Sequence, residues 1–155
     1  MIRLKGGMIL KNRRFEPGDI WIKEDKIIRE EELSEQEKEV CEEIDCEGKK
    51  IIPGLVDIHT HGCFGFDFCD GTEEALRTIA SYEMSQGVMT FLPTSMTLAE
   101  EELISIFRNA KEFKEKEEKL WAENPREAAL LADVAGIHAE GPVCSPEAVV
   151  SFIVP

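Results

Sequence analysis

From Pro53 onward, short apolar segments alternate with segments of helical character, and this alternation constrains the fold more than any other feature. Strands are predicted at residues 55–61, 88–93 and 134–140. A β-α-β-α-β order with short strands is typical of a parallel sheet with its helices packed outside. We therefore predict an α/β fold for this part of the chain.

Two main helices are predicted between these strands from their caps and apolar stripes. Thr72 is predicted to cap the first helix, which ends before Gly87, and Thr97 with Glu100 is predicted to form a capping box for the second. A short third helix is predicted from Pro125. The apolar positions that should face the sheet are Leu76, Ile79, Ala80, Met84, Leu103, Ile106, Phe107, Ala110 and Phe113.

Residues 1–52 show a different pattern, a series of short β segments. The dipeptides at 17–18 and 24–25 are predicted to be turns, and the second of them closes a hairpin. The polar stretch 30–43 is predicted to be a loop or a short exposed helix. We predict that residues 1–52 and 53–155 form separate domains.

Two histidines, His59 and His61, end the first predicted parallel strand with one residue between them. Residues i and i+2 of a strand lie on the same face, so both imidazoles should point the same way. Two converging neutral imidazoles suit a divalent metal ion. The alternative is a pair of core histidines with satisfied hydrogen bonds, but the position of this pair at a strand end favours a metal site.

The third predicted parallel strand ends in a second pair, His138 and Glu140, again at i and i+2. On its own, Glu140 would be a solvated acid at a strand end, but beside the two histidines it is the best third ligand. Parallel α/β folds place their chemistry at the carboxyl ends of the strands, where all these residues should meet. Two roles are open to three nearby cysteines, metal ligand or small buried apolar residue, and the second is expected: Cys63, Cys69 and Cys144.

The composition excludes several classes of protein. The formal net charge of −14 over 155 residues argues against binding to nucleic acid, which needs clustered Lys and Arg. No apolar run approaches the ~18 residues of a membrane span, and no secretory signal is visible at the first residues. Five cysteines without a CxxC pair predict reduced thiols and a cytoplasmic protein.

Four segments of the chain resemble the amidohydrolase superfamily, and specifically the N-acetylglucosamine-6-phosphate deacetylase family. They are PGLVDIHTHG at 53–62, FDFCDG at 66–71, GVMTFLPT at 87–94 and GIHAEGP at 136–142. The resemblance implies the N-terminal part of a metal-dependent (β/α)8 barrel, preceded by strands of a small β-sandwich. It also implies hydrolysis of the N-acetyl group of N-acetylglucosamine 6-phosphate to glucosamine 6-phosphate and acetate, a step of amino-sugar catabolism.

The resemblance also implies roles for individual residues. His59, His61 and Glu140 match metal ligands of the family, and His138 and Gly141 match residues that support the ligands or contact the substrate. The implied cofactor is a divalent metal, with Zn²⁺ the first choice and Fe²⁺, Mn²⁺ or Co²⁺ as alternatives. The implied partners are a small-molecule amino-sugar phosphate and, for a full-length enzyme, a second subunit in a homodimer.

A barrel of this type takes about 250 residues, and only about three of its eight strands are predicted here. We therefore expect a truncated chain, inactive alone, whose general-base aspartate and later metal histidines lie beyond its end. The truncation could come from a partial gene or from a frameshift, and the tail at 145–155, which does not resemble the family, favours the frameshift. The family motif also differs at Ala139 and Val143. Two other functions stay open: an interaction module completed by another chain, and another amidohydrolase of the dihydroorotase type.

Overall fold

A computed structural model of the protein describes residues 1–141 and the strand at 151–154, and it divides the chain into two units. The first unit is Met1–Pro53 and the second is Gly54–Pro155. The expectations for Val143, for Cys144 and for most of the tail lie outside the described residues. No described helix is both long enough and apolar enough to cross a membrane.

The first unit is built on a five-stranded sheet. Its elements are β1 (Ile2–Lys11), β2 (Arg14–Lys23), β3 (Lys26–Ile28), α1 (Glu35–Glu39), β4 (Glu42–Asp45) and β5 (Lys50–Ile51). The strands lie in the order β3-β2-β1-β4, and β5 also pairs with β1. β1 is antiparallel to β2 and parallel to β4 and β5, while a 3-10 turn and the short helix α1 connect β3 to β4.

The predicted turn at Pro17 and Gly18 is wrong, because both residues lie inside β2 and pair with β1. The chain turns instead at Asn12 and Arg13, whose φ angles of 47° and 65° are those of a type I′ hairpin. β3 pairs only with the end of β2, beyond Pro17, so the missing N–H of this proline breaks no described ladder hydrogen bond. The second predicted turn is confirmed, since β2 and β3 form a hairpin around residues 24–25.

The second unit confirms the predicted α/β order. Its elements are β6 (Leu55–Thr60), β7 (Gly62–Cys63), β8 (Phe66–Asp67), α2 (Glu73–Ser85), β9 (Val88–Ser95), α3 (Glu100–Glu123), α4 (Pro125–Ala128), β10 (Asp133–Val134), β11 (Ile137–Glu140) and β12 (Ser151–Val154). β9 lies between β6 on one side and β10 and β11 on the other, and all these pairs are parallel. The third predicted strand is divided into two short pieces, β10 and β11, and β12 pairs antiparallel with β11.

The start of α2 follows the sequence prediction and the start of α3 does not. The Thr72 hydroxyl accepts from the backbone N–H of the third residue of α2, as an N-cap should. α3 begins later than predicted, with Ala99 at its N-cap position and the Glu102 carboxylate accepting from the Ala99 N–H at 3.2 Å. The predicted cap at Thr97 and Glu100 is wrong, because Thr97 lies two residues before the N-cap position, and its hydroxyl donates to the carbonyl of Glu140.

The core of the second unit lies where the sheet meets α2 and α3. Both predicted apolar stripes face it, with Met84 and Phe107 only partly buried at its margin. Phe91 of β9 is fully buried in this cluster. The buried members are Phe68, Leu76, Ile79, Ala80, Phe91, Ile106, Ala110, Phe113, Leu131, Ala132 and Val134.

One carboxylate, Glu117 of α3, is buried against this unit with only 7% of its surface exposed. The Val134 N–H donates to it, but its Oε2 atom has no hydrogen-bond partner among the described residues. Burial, and then the negative charge of Asp133, raises the pKa of Glu117 to about 7, while Arg77 and Lys114 partly oppose this shift. The folded state therefore retains a proton on Glu117 at pH values where the unfolded chain has lost it.

This proton predicts a pH dependence of stability. Because the pKa of Glu117 rises from 4.5 to about 7 on folding, the free energy of unfolding should fall as pH rises between these values and level off above them. We expect the free energy of unfolding to fall by about 1–3 kcal/mol over this pH range because of Glu117, and we expect this fall to be absent in Glu117→Gln. Urea unfolding of both proteins at pH 5 and pH 8 measures it, and an unchanged pH slope in the variant would contradict the prediction.

Candidate metal centre

All three predicted ligands, His59, His61 and Glu140, meet at the carboxyl ends of the parallel strands. The Nε2 atoms of His59 and His61 lie 3.2 Å apart, and Nε2 of His59 lies 3.3 Å from Oε1 of Glu140. One donor atom from each of the three side chains falls within 4.8 Å of the other two. Residues about 80 positions apart in sequence thus converge because β6 and β11 flank the same strand, β9.

The imidazole of His61 is oriented by a hydrogen bond that the sequence did not predict. Its Nδ1 lies 3.0 Å from the backbone carbonyl of Thr94, a fully buried residue of β9. A carbonyl can only accept, so Nδ1 carries the proton and Nε2 keeps its lone pair. This is the tautomer that a metal-binding Nε2 requires, and a partner of this kind is usual for metal-bound histidines.

The backbone at Glu140 is held by the segment that follows β9. The Thr97 hydroxyl donates to the Glu140 carbonyl. The next residue, Gly141, is buried and has a φ of 119°, and a Cβ atom there would approach the Thr97 hydroxyl to 3.0 Å. Thr97 and Gly141 therefore shape the chain beside the Glu140 carboxylate.

His138 lies next to the three candidate ligands but is not one of the three converging groups. Its ring is 4.7 Å from the ring of His59, edge to face at 85°. Its Nδ1 lies 2.8 Å from the carbonyl of Ile58, so Nδ1 carries the proton here too. Its Nε2 is buried without a hydrogen-bond partner in the described part of the chain.

The nearby cysteines and aspartates have other roles. Cys63 and Cys69 are only partly buried, and both pack against the hydrophobic core. Burial raises the pKa of both thiols, which favours the neutral form over a metal-binding thiolate. Asp57 accepts from the backbone N–H of His59, and Asp70 accepts from that of Asp67. Both carboxylates therefore accept hydrogen bonds from the backbone of neighbouring residues.

The donor set fits a divalent cation. Two imidazoles and one carboxylate are the ligands that Zn²⁺, Fe²⁺, Mn²⁺ and Co²⁺ accept. One of the imidazoles, His61, is already held in the required tautomer by Thr94. The Glu140 side chain is only 22% exposed, so its charge lies in a partly desolvated place that a cation would compensate.

The β7–β8 hairpin next to His61 permits a matched test. A Cβ atom at Gly62 would lie 2.0 Å from the backbone oxygen of Phe66, whereas one at Gly65 would meet open space. We expect Gly62→Ala to cost about 3 kcal/mol and to weaken metal binding, because the hairpin must move. Gly65→Ala should cost about 1 kcal/mol, from its φ of 82° alone, and leave metal affinity unchanged. Calorimetry and metal titration of both variants test this, and equal effects would contradict it.

No family model matches the chain, but curated relatives do. N-acetylglucosamine-6-phosphate deacetylase of Danio rerio is 30% identical over 143 residues, which is 90% of this chain and 32% of that protein. The enzyme of the same name from Bacillus subtilis is 34% identical over 97 residues, 63% of this chain and 22% of the relative. This chain is homologous to the N-terminal part of the N-acetylglucosamine-6-phosphate deacetylases.

A solved structure agrees with this relationship. The crystal structure of N-acetylglucosamine-6-phosphate deacetylase from Thermotoga maritima superimposes with a TM-score of 0.62 and 27% identity, over 94% of this chain and 33% of that structure. The chain thus spans about a third of the length of the deacetylases it matches. The family resemblance in the sequence motifs is confirmed, and the shared region contains the α/β elements that carry the candidate metal centre.

Proposed function

We propose that this chain provides part of the metal centre of an N-acetylglucosamine-6-phosphate deacetylase, which hydrolyses the N-acetyl group to give glucosamine 6-phosphate and acetate. The observation that carries the proposal is the convergence of His59, His61 and Glu140 within 4.8 Å at the carboxyl ends of parallel strands. Homology to deacetylases supplies the reaction and the amino-sugar phosphate substrate. Residues 53–155 would then be the first part of a (β/α)8 barrel, and residues 1–52 part of a small β-sandwich.

In this proposal the three side chains hold a divalent cation, with Zn²⁺ the first choice. A bound divalent cation would lower the pKa of a water molecule and polarise the amide carbonyl of the substrate. His61 would bind through the Nε2 lone pair that its Thr94 hydrogen bond leaves free. Glu140 would supply the negative charge, with its backbone held by Thr97. No described residue is assigned as the general base.

An alternative, a module completed by another chain, is favoured by one observation. β6 pairs only with β9 among the described strands, and its apolar side chains are exposed by 50% at Leu55, 64% at Val56 and 60% at Ile58. Such an edge would suit a further strand. Co-purification with a second, different chain that completes the barrel would favour this alternative, whereas metal binding by the purified chain alone would favour the proposed site. The homodimer and the cytoplasmic location stay predictions.

The test of the proposed function joins metal content to activity. The purified chain is loaded with Zn²⁺, Mn²⁺, Fe²⁺ or Co²⁺, its bound metal is counted, and acetate release from N-acetylglucosamine 6-phosphate is measured in the same sample. We expect bound metal in the unsubstituted chain and its loss in His59→Ala and Glu140→Ala. Arg126→Ala, on the exposed helix α4, is the matched control that should keep the metal.

The two measurements answer separate questions. A folded chain that binds no divalent metal would refute the proposed site. Metal binding without acetate release would agree with the prediction that this chain is inactive alone. Acetate release that disappears in both ligand variants would show that these described residues suffice for part of the chemistry, and would contradict that prediction of inactivity.

A further inference from the structure

The peptide group between Ile58 and His59 is held by two side chains at a break in the sheet. Its carbonyl accepts from Nδ1 of His138 at 2.8 Å, and its N–H donates to Oδ1 of Asp57 at 2.8 Å. The register between β6 and β9 shifts just here, and the residue facing the end of β6 is Pro93, which has no N–H to donate. The two side chains therefore fix the backbone that presents His59.

His59 needs such support more than His61 does. The Nδ1 atom of His61 is held by the Thr94 carbonyl, but no hydrogen bond among the described residues holds Nδ1 of His59. The His59 side chain is also 43% exposed, so packing alone does not fix its rotamer. Metal-bound histidines usually have a partner on their second nitrogen, and here that support has to come from elsewhere.

His138 contacts His59 in two ways. It donates to the carbonyl on the N-terminal side of His59, and its ring lies edge to face against the His59 ring at 4.7 Å. Because Nδ1 of His138 is committed to Ile58, the ring cannot turn without breaking that hydrogen bond. The ring of His138 is thus held in one orientation, and the His59 imidazole packs against it.

We propose that His138 and Asp57 form a clamp on the Ile58–His59 peptide group that sets the direction of the His59 imidazole. His138 is then a positioning residue and not a ligand, consistent with its absence from the three converging donor groups. This inference rests on the proposed metal site and assigns to it two residues that bind no metal. Asp57 acts from β6 itself and His138 from β11, so the clamp ties together the two strands that carry the candidate ligands.

The experiment measures the Co²⁺ dissociation constant and the visible Co²⁺ spectrum of paired variants of the full chain. His138→Phe keeps a ring but cannot donate, whereas His138→Asn offers an amide N–H close to the position of Nδ1. Asp57→Ala removes the acceptor, and Asp57→Asn keeps a carbonyl oxygen. We expect His138→Phe and Asp57→Ala to weaken Co²⁺ binding by about 10-fold or more, with a changed spectrum, and the two conservative variants to recover most of the loss.

A control separates positioning from general destabilisation. Val134→Ala, in the neighbouring strand β10, removes buried volume without touching the clamp and should keep the Co²⁺ affinity of the unsubstituted chain. Unchanged affinity in His138→Phe, or an equal loss in Val134→Ala, would overturn the clamp alone. If His138→Phe does not fold by circular dichroism, the Asp57 pair decides by the same criterion. An unsubstituted, folded chain that binds no Co²⁺ would overturn both the metal site and the clamp.

Discussion

Glu140→Gln should lower the affinity of the chain for Zn²⁺ or Co²⁺ by about 100-fold or more, a larger loss than residues that only support ligands usually cause. The substitution keeps the size of the side chain and one oxygen, and removes only the negative charge. That charge is the only one among the three converging donors, since both others are imidazoles. It also lies where the side chain is 22% exposed, so solvent screens it incompletely.

The matched control is Glu118→Gln, which makes the same change of charge on an exposed position of α3. Both variants are titrated with metal in competition with a chromophoric chelator, after circular dichroism has shown that each is folded. The control should bind as the unsubstituted chain does. Equal dissociation constants for Glu140→Gln and Glu118→Gln would show that the carboxylate is not a ligand.

The architecture of the second unit was predictable because it follows from local patterns. The spacing of apolar residues and the Thr72 cap define α2 without any knowledge of the tertiary structure, and the strands follow from short apolar runs between the helices. The i, i+2 positions of His59 and His61 were enough to place two imidazoles on one face. Their approach to Glu140 followed from the rule that parallel strands present their carboxyl ends at one edge.

The features that were missed depend on contacts between distant parts of the chain. Thr97 and Glu100 have the spacing of a capping box. The Thr97 hydroxyl instead donates to the backbone carbonyl of Glu140, 43 positions away, and α3 begins at Glu100 with Ala99 as its N-cap. The hydrogen bonds from His61 to Thr94 and from His138 to Ile58 involve backbone carbonyls, which every residue has and no motif marks. Pro17 followed by Gly18 is a sequence typical of a turn. Pro17 can lie in β2 because β3 pairs only with residues 21–23 of that strand, so no described pairing with β3 needs the N–H that proline lacks.

Phe91→Ala should produce the largest loss of stability, about 3–5 kcal/mol in the free energy of unfolding. Phe91 is fully buried and lies in β9, where it faces Asp57 of β6 on one side and Val134 of β10 on the other. Its carbonyl also accepts from the Ala135 N–H. A cavity at this position would remove contacts from the sheet and both main helices, and total stabilities are only about 5–15 kcal/mol.

Met89→Ala is the control for this loss, because it is a large-to-small change in the same strand at a side chain that is 48% exposed. It should cost about 1 kcal/mol or less, since much of its surface is already in water. Urea-induced unfolding of both variants measures the difference. A Phe91→Ala protein no less stable than Met89→Ala would mean that β9 is not the centre of this unit.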